Sequence, residues 1–88
     1  TPGHTPGHQS VLVNLPKTGH MLLTGDACYT GDHWCDRCLP GLVASASDAA
    51  DSVAKLRKVA KENDAKVVWG HDPVTWLDWK KAPMFYYD

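Results

Sequence analysis

The tetrapeptide Thr-Pro-Gly-His occurs twice in succession, ending first at His4 and then at His8. Each proline fixes its own φ and disfavours helical backbone in the residue before it. Each glycine tolerates positive φ, so each unit is typical of a tight turn that ends in an imidazole. The repeat therefore predicts two rigid turns, and with the pattern downstream it favours His8 as a functional side chain over a polar surface residue.

Two short apolar runs after the repeat predict a β-hairpin. The run Gln9–Leu15 alternates as a strand with one buried face does, and residues 16–19 have the proline and glycine of a turn. The second strand is predicted over His20–Thr24. Gly25 ends it and leaves Asp26 at its tip, where a rigid strand would hold a carboxylate suited to a ligand more than to a solvated charge.

The segment Cys28–Ala46 loses this periodicity and is predicted to be a long loop, of the kind that often has a function. We expect His33 and Trp34 to be exposed within it, and Asp36 and Arg37 to be solvated.

An amphipathic helix is predicted next, capped by Ser47 or Asp48 and running to about Asn63. A third strand is expected at Lys66–Trp69, and the glycine after it leads to His71. The apolar stripe of the helix comprises Ala49, Val53, Leu56, Val59 and Ala60. The tail, residues 74–88, is rich in aromatic rings that we expect to pack on the body of the domain instead of stacking on a substrate.

Length, composition and net charge exclude only a few classes of protein. A chain of 88 residues forms one small domain or a piece of a larger one, and its start inside a motif, without methionine, suggests a piece. The net charge of −1 gives no indication of nucleic acid or of an anionic membrane as a partner. No apolar run approaches the roughly 20 residues that span a bilayer, and no signal peptide is visible.

Three cysteines are an odd number, which favours a reduced, cytoplasmic compartment over a secreted disulfide framework. Cys35 and Cys38 have the C-x-x-C spacing of a zinc or redox pair. No second pair and no thioredoxin-type strand–helix context accompany them, so we interpret them as ordinary loop cysteines.

Three turns or strand ends thus present His8, Asp26 and His71, and short loops on a sheet often converge on one site. Imidazole nitrogen and carboxylate oxygen suit Zn²⁺, Fe²⁺, Mn²⁺ or Co²⁺. The hypothesis is a metal site at the point where these three side chains meet.

The doubled turn, the hairpin, Gly-Asp-Ala, the helix, the strand and Gly-His-Asp together resemble the C-terminal half of the metallo-β-lactamase superfamily. The run Asp26-Ala27-Cys28-Tyr29 resembles, within that superfamily, the quorum-quenching N-acyl homoserine lactonases. The resemblance implies an α+β fold, namely the C-terminal half of an αββα sandwich. Residues 1–88 would then be a single partial domain that lacks the N-terminal half.

The resemblance also implies roles for individual residues. His8 would bind the first of two metals, Asp26 would bridge both, and His71 would bind the second. Tyr29 matches a tyrosine that binds and polarises the ester carbonyl, which makes Tyr29 and Asp26 the candidate catalytic residues. His4 is assigned to indirect support of the ligands or to the turn itself. Two zinc ions per complete site are implied, with iron, manganese or cobalt as alternatives.

One feature of the superfamily is absent from this chain: the His-x-His-x-Asp-His motif that supplies the other ligands. We therefore expect a hydrolase fragment, weak or inactive by itself, whose complete form opens a lactone ring with a metal-bound hydroxide. The alternatives are a thioesterase of the glyoxalase II type and a non-catalytic half-domain. The expected partners are a small lactone or ester, and a second copy of the chain or a complementing N-terminal half.

Overall fold

A computed structural model describes residues 1–36 and 38–88, and the expectation for Arg37 lies outside them. Three strands in this part of the chain form one sheet in the order β1-β2-β3: β1 is Val11–Leu15, β2 is Gly19–Leu23 and β3 is Lys66–Val68. β1 and β2 are antiparallel, whereas β2 and β3 are parallel. The predicted α+β class and the hairpin are confirmed; β1 and β3 are shorter than expected, whereas β2 has the expected length and begins one residue earlier.

Helix α2, Ala46–Glu62, covers one face of the sheet. Leu22 and Val67 are register partners and so lie on the same face, and Leu22 is 1% exposed. Leu56 and Ala60 of α2 belong to the same buried cluster. The predicted apolar stripe is confirmed as the buried side of the helix by Ala49, Val53, Leu56 and Ala60.

The N-cap of α2 is Ser45, not Ser47 or Asp48 as predicted. Ser45 has extended backbone, and its Oγ accepts a hydrogen bond of 3.3 Å from the backbone N–H of Asp48. Because Ser45 also donates its own N–H to the carbonyl of Gly3, a contact distant in sequence fixes where the helix begins. Neither α2 nor another helix in the described ranges is long and apolar enough to cross a membrane.

Helix α1, Gly31–Asp36, lies within the segment that was expected to be a loop. Arg57 of α2 donates to the carbonyl of Trp34 over 3.0 Å and to that of His33 over 3.4 Å, so it satisfies carbonyls at the end of this short helix. The expectation that His33 and Trp34 are exposed is wrong, since both are half-buried and Trp34 packs against the core. Asp36 is exposed, as expected.

The aromatic tail begins with helix α3, Pro73–Asp78. Trp76 and Tyr86 are 57% and 68% exposed, so the expectation that these two rings pack on the body is wrong. The other rings contact one another, with centroids 5.0–5.5 Å apart, and are Trp79, Phe85 and Tyr87.

Candidate metal centre

Asp26 lies at the centre of a cluster of imidazoles. It sits in a 3-10 turn, Gly25–Ala27, directly after β2. Its Oδ1 is 2.6 Å from Nε2 of His71, and its Oδ2 is 3.4 Å from Nε2 of His4. The hydrogen bond with His71 holds the pKa of the Asp26 carboxyl below its ordinary value and outweighs partial burial, which acts in the opposite direction.

His8 approaches the same aspartate from its backbone side. Its Nε2 accepts the backbone N–H of Asp26 over 3.0 Å, and its Nδ1 lies 3.1 Å from the carbonyl oxygen of Thr1. A carbonyl only accepts, so Nδ1 donates and the remaining lone pair on Nε2 is used by the amide. His8 therefore orients the Asp26 backbone, whereas its prediction as a ligand requires that the lone pair on Nε2 be free for a metal.

His4 is the residue that sequence reasoning assigned to a minor role, yet its ring faces the carboxylate. Its Nδ1 is 3.1 Å from the carbonyl of Leu42, which makes Nδ1 the donor and leaves Nε2 unprotonated in the neutral ring. The two Thr-Pro-Gly-His units are identical in sequence. No local signal could therefore have shown which imidazole faces Asp26.

The first Thr-Pro-Gly-His unit is held against α2 by a close backbone contact at Gly3. Gly3 has a φ of +140°, and a Cβ there would lie 2.4 Å from Cα of Ala49. The Gly3 carbonyl also accepts the N–H of Ala44 over 2.8 Å. A side chain at this position is excluded by both conformation and space, so the glycine is needed to place His4.

A second close approach brings the Asp26 and His71 segments together. A Cβ on Gly70 would lie 2.3 Å from the carbonyl oxygen of Gly25, and Gly25 itself has a φ of +57°. Thr24, fully buried, ties the same turn to β3 because its backbone N–H donates to the carbonyl of Val68 over 3.0 Å, while its hydroxyl donates to the carbonyl of Cys28 over 2.8 Å.

Tyr29, predicted from the resemblance as a catalytic residue, lies beside His71, which was predicted as a metal ligand. Their ring centroids are 4.4 Å apart. The backbone N–H groups of Gly70 and His71 donate to the carbonyls of Cys28 and Tyr29, over 3.2 and 2.9 Å. Sequence reasoning missed His33, whose ring is 6.2 Å from that of Tyr29 and whose buried Nδ1 has no hydrogen-bond partner among residues 1–36 and 38–88.

The cysteines are separate from this cluster. Cys28 is buried, and burial raises the pKa of its thiol. Cys35 and Cys38 are exposed and free, and Cys35 lies on α1 instead of in a loop. Their interpretation as ordinary cysteines stays a prediction.

The donor groups fit a first-row transition metal in kind. Nε2 of His4 and Oδ2 of Asp26 face each other over 3.4 Å, and a nitrogen and a carboxylate oxygen so placed are held together by a cation between them, either a proton or a metal. They do not complete a site in number: among residues 1–36 and 38–88, no three His, Cys, Asp or Glu side chains are placed to hold a metal ion together. A catalytic zinc needs about three protein ligands, so the described residues form part of a site.

Comparison with known proteins identifies the family of this chain. The family model of the metallo-beta-lactamase superfamily matches residues 1–71. The N-acyl homoserine lactonase AttM of Rhizobium radiobacter is 58% identical over 86 residues, which are 98% of this chain and 33% of that protein. An N-acyl homoserine lactonase from a Bacillus species is 40% identical over 72 residues, 82% of this chain and 28% of that protein.

Solved structures show the same relationship. A structure of N-acyl homoserine lactone hydrolase, with the product N-hexanoyl-L-homoserine bound at its catalytic metal center, superposes with a TM-score of 0.89 at 33% identity. The superposition covers all of this chain and 34% of the other. The chain thus spans about a third of the length of the relatives it matches. It belongs to the metallo-β-lactamase superfamily.

Proposed function

We propose that this chain forms one part of the active site of a metal-dependent lactonase that opens the ring of N-acyl homoserine lactones. The observation that carries the proposal is the Asp26 carboxylate bracketed by the Nε2 atoms of His71 and His4. The names of the relatives supply the substrate class, because lactonases match at up to 58% identity.

The geometry supports a revised set of partial ligands, in which His4 with Asp26 and His71 with Asp26 would each hold part of a metal's coordination shell, with zinc the favoured ion. His8 keeps its importance as a positioning residue, since its Nε2 holds the Asp26 backbone. A metal bound at Asp26 would supply Lewis-acid chemistry at the substrate carbonyl.

Tyr29 is placed to act on the substrate beside that centre. Its ring contacts His71 and lies 6.3 Å from the ring of His4, so its phenol borders the same space. A phenol O–H donates a hydrogen bond, and a donor aimed at the carbonyl oxygen stabilises the negative charge that develops there as the lactone opens. Asp26, with its pKa held low by His71, stays ionised and acceptor-only at neutral pH.

The remaining ligands would come from a complementing part of a longer protein. Val11 and Leu23 are register partners on the sheet face that α2 does not cover, and they are 52% and 40% exposed. A second layer packed on this face would bury them and add ligands to the incomplete site. A second copy of the chain is the competing occupant.

The test replaces the 86 matched residues of the Rhizobium radiobacter lactonase with this sequence. We expect the chimera to hydrolyse N-hexanoyl homoserine lactone and to lose about 10²-fold or more in kcat on Asp26→Asn or His4→Ala. His20→Ala, which changes an imidazole away from the cluster, is the matched control. Metal content measured on the same variants should fall for Asp26→Asn and not for His20→Ala.

Two results would contradict the proposal. A chimera that folds and retains metal but does not hydrolyse lactones, while it cleaves glutathione thioesters, would favour the thioesterase reading. Hydrolysis unaffected by Asp26→Asn would remove Asp26 from the mechanism. The 88-residue chain by itself should bind zinc weakly, because its ligands are too few.

A further inference from the structure

We infer that Asp72 is a positioning residue that fixes Tyr29 against His71, an inference that rests on the proposed function for its catalytic consequence. Asp72 follows His71 directly and is not part of the imidazole cluster. Its Oδ2 accepts the backbone N–H of Gly31 over 2.9 Å. Gly31 lies two residues after Tyr29, so this hydrogen bond connects the segment that positions the phenol with the segment that positions the imidazole.

The two oxygens of Asp72 have different partners. Oδ1 accepts the N–H groups of Val74 and Thr75, both over 3.0 Å, and so caps α3. Oδ2 accepts the hydrogen bond from Gly31, which crosses between the loops. One carboxylate therefore fixes its own helix and, through its second oxygen, the start of α1.

The hydrogen bond from Gly31 to Asp72 is one of three described hydrogen bonds that connect the two loops, and it is the one made by a side chain. The other two bonds join backbone to backbone, from Gly70 to the carbonyl of Cys28 and from His71 to that of Tyr29. Those bonds define a pairing of the two loops, but they end at Tyr29. The contact with Asp72 extends the pairing past Tyr29, so that the backbone of Tyr29 is held on both sides, and its ring centroid lies 4.4 Å from that of His71.

The experiment removes the hydrogen bond between Gly31 and Asp72 twice, once by changing the acceptor and once by changing the donor. Asp72→Asn keeps an amide oxygen that can cap α3 but turns an N–H₂ toward the Gly31 amide, where two donors cannot bond. Gly31→Pro removes the donor at the first position of a helix, where proline is tolerated, and its ring Cδ takes the place of the amide hydrogen and displaces the Asp72 carboxylate. Gly31→Ala is the matched control, because it keeps the N–H and its Cβ would meet Asp72 and Trp69 at an ordinary 3.5 Å.

We expect the His71 ring resonances in the 88-residue chain to shift in Asp72→Asn and in Gly31→Pro, because the ring current of Tyr29 moves relative to them. They should stay in place in Gly31→Ala, and those of His20 should stay in place throughout. The double variant should shift no further than either single variant, since both delete the same bond. In the chimera, the two variants should lower kcat for lactone hydrolysis about 10- to 100-fold, while bound metal is retained.

Unmoved His71 resonances with full lactone hydrolysis in both variants would overturn the inference and leave the lactonase proposal intact. Shifted resonances in a chimera that never hydrolysed lactones would uphold the contact while overturning the lactonase proposal. Additive shifts in the double variant would show that the two residues act separately, and would also overturn the inference.

Discussion

The close approach of Gly70 to Gly25 gives the sharpest prediction. In Gly70→Ala, the new Cβ would lie 2.3 Å from the Gly25 carbonyl oxygen, whereas ordinary contact begins at 3.4 Å, so the two segments must separate by about 1.1 Å. The 2.6 Å contact between His71 and Asp26 spans the same two segments. Lengthened by that amount it exceeds 3.5 Å and is no longer a hydrogen bond.

Both stability and activity should respond. Overpacking of this kind costs about 1–3 kcal/mol, and in a domain of this size each kcal/mol lowers Tm by about 4–8 °C. Thermal unfolding followed by circular dichroism measures this loss, and the His71 ring resonances report the broken contact. In the chimera we expect kcat to fall about 10²-fold, as a displacement of about 1 Å at a reacting centre commonly produces.

Gly41→Ala is the matched control, because a Cβ there meets nothing within 4 Å and its φ lies outside the left-handed region. This variant should be as stable as the parent or slightly more so, since alanine reduces the entropy of the unfolded chain. If Gly70→Ala unfolds at the temperature of Gly41→Ala and keeps the His71–Asp26 contact, the reasoning is refuted.

Three further predictions concern the scaffold. Ser45→Ala should lower the free energy of unfolding by about 1 kcal/mol in a denaturant titration, whereas Ser47→Ala should leave it within about 0.5 kcal/mol, because Ser45 caps α2; equal losses would contradict the assigned cap. Leu56→Ala, in the buried cluster, should cost about 2–5 kcal/mol in the same titration, and a loss below about 1 kcal/mol would place Leu56 outside the core. The amide of Gly31 holds the pKa of the Asp72 carboxyl below its ordinary value, so in acid the unfolded chain binds more protons than the folded one. The stabilisation by the Asp72 hydrogen bonds is thus complete above about pH 4 and is lost as the pH falls through the lower, folded-state pKa. Denaturant titrations at several pH values should show that the free energy of unfolding falls in acid in the parent and falls less in Asp72→Asn; an equal dependence on pH in both would contradict the prediction.

Local pattern was enough to predict the three strands and helix α2. Strand-length apolar runs separated by a proline–glycine turn predicted the hairpin, and apolar spacing predicted the buried stripe of α2 from Ala49 to Ala60. Both predictions hold because the hydrophobic period of an element is written along its own residues. The placement of Asp26 and His71 at the ends of strands followed from the same signal, with glycine marking each end.

Contacts between distant residues decided the remainder. α1 was missed because its support comes from outside it: Arg57 satisfies carbonyls at one end, and Asp72 accepts an amide at the other. The cap of α2 was misplaced because the backbone of Ser45 is fixed by Gly3.

The choice between His4 and His8 shows the limit most clearly. The sequence by itself determined that two imidazoles follow rigid turns and that a carboxylate and a third imidazole end two strands. Only the tertiary structure decided that the first imidazole faces the Asp26 carboxylate and the second its backbone. The physical reason is that identical tetrapeptides have identical local preferences, so their different roles arise from what each one packs against.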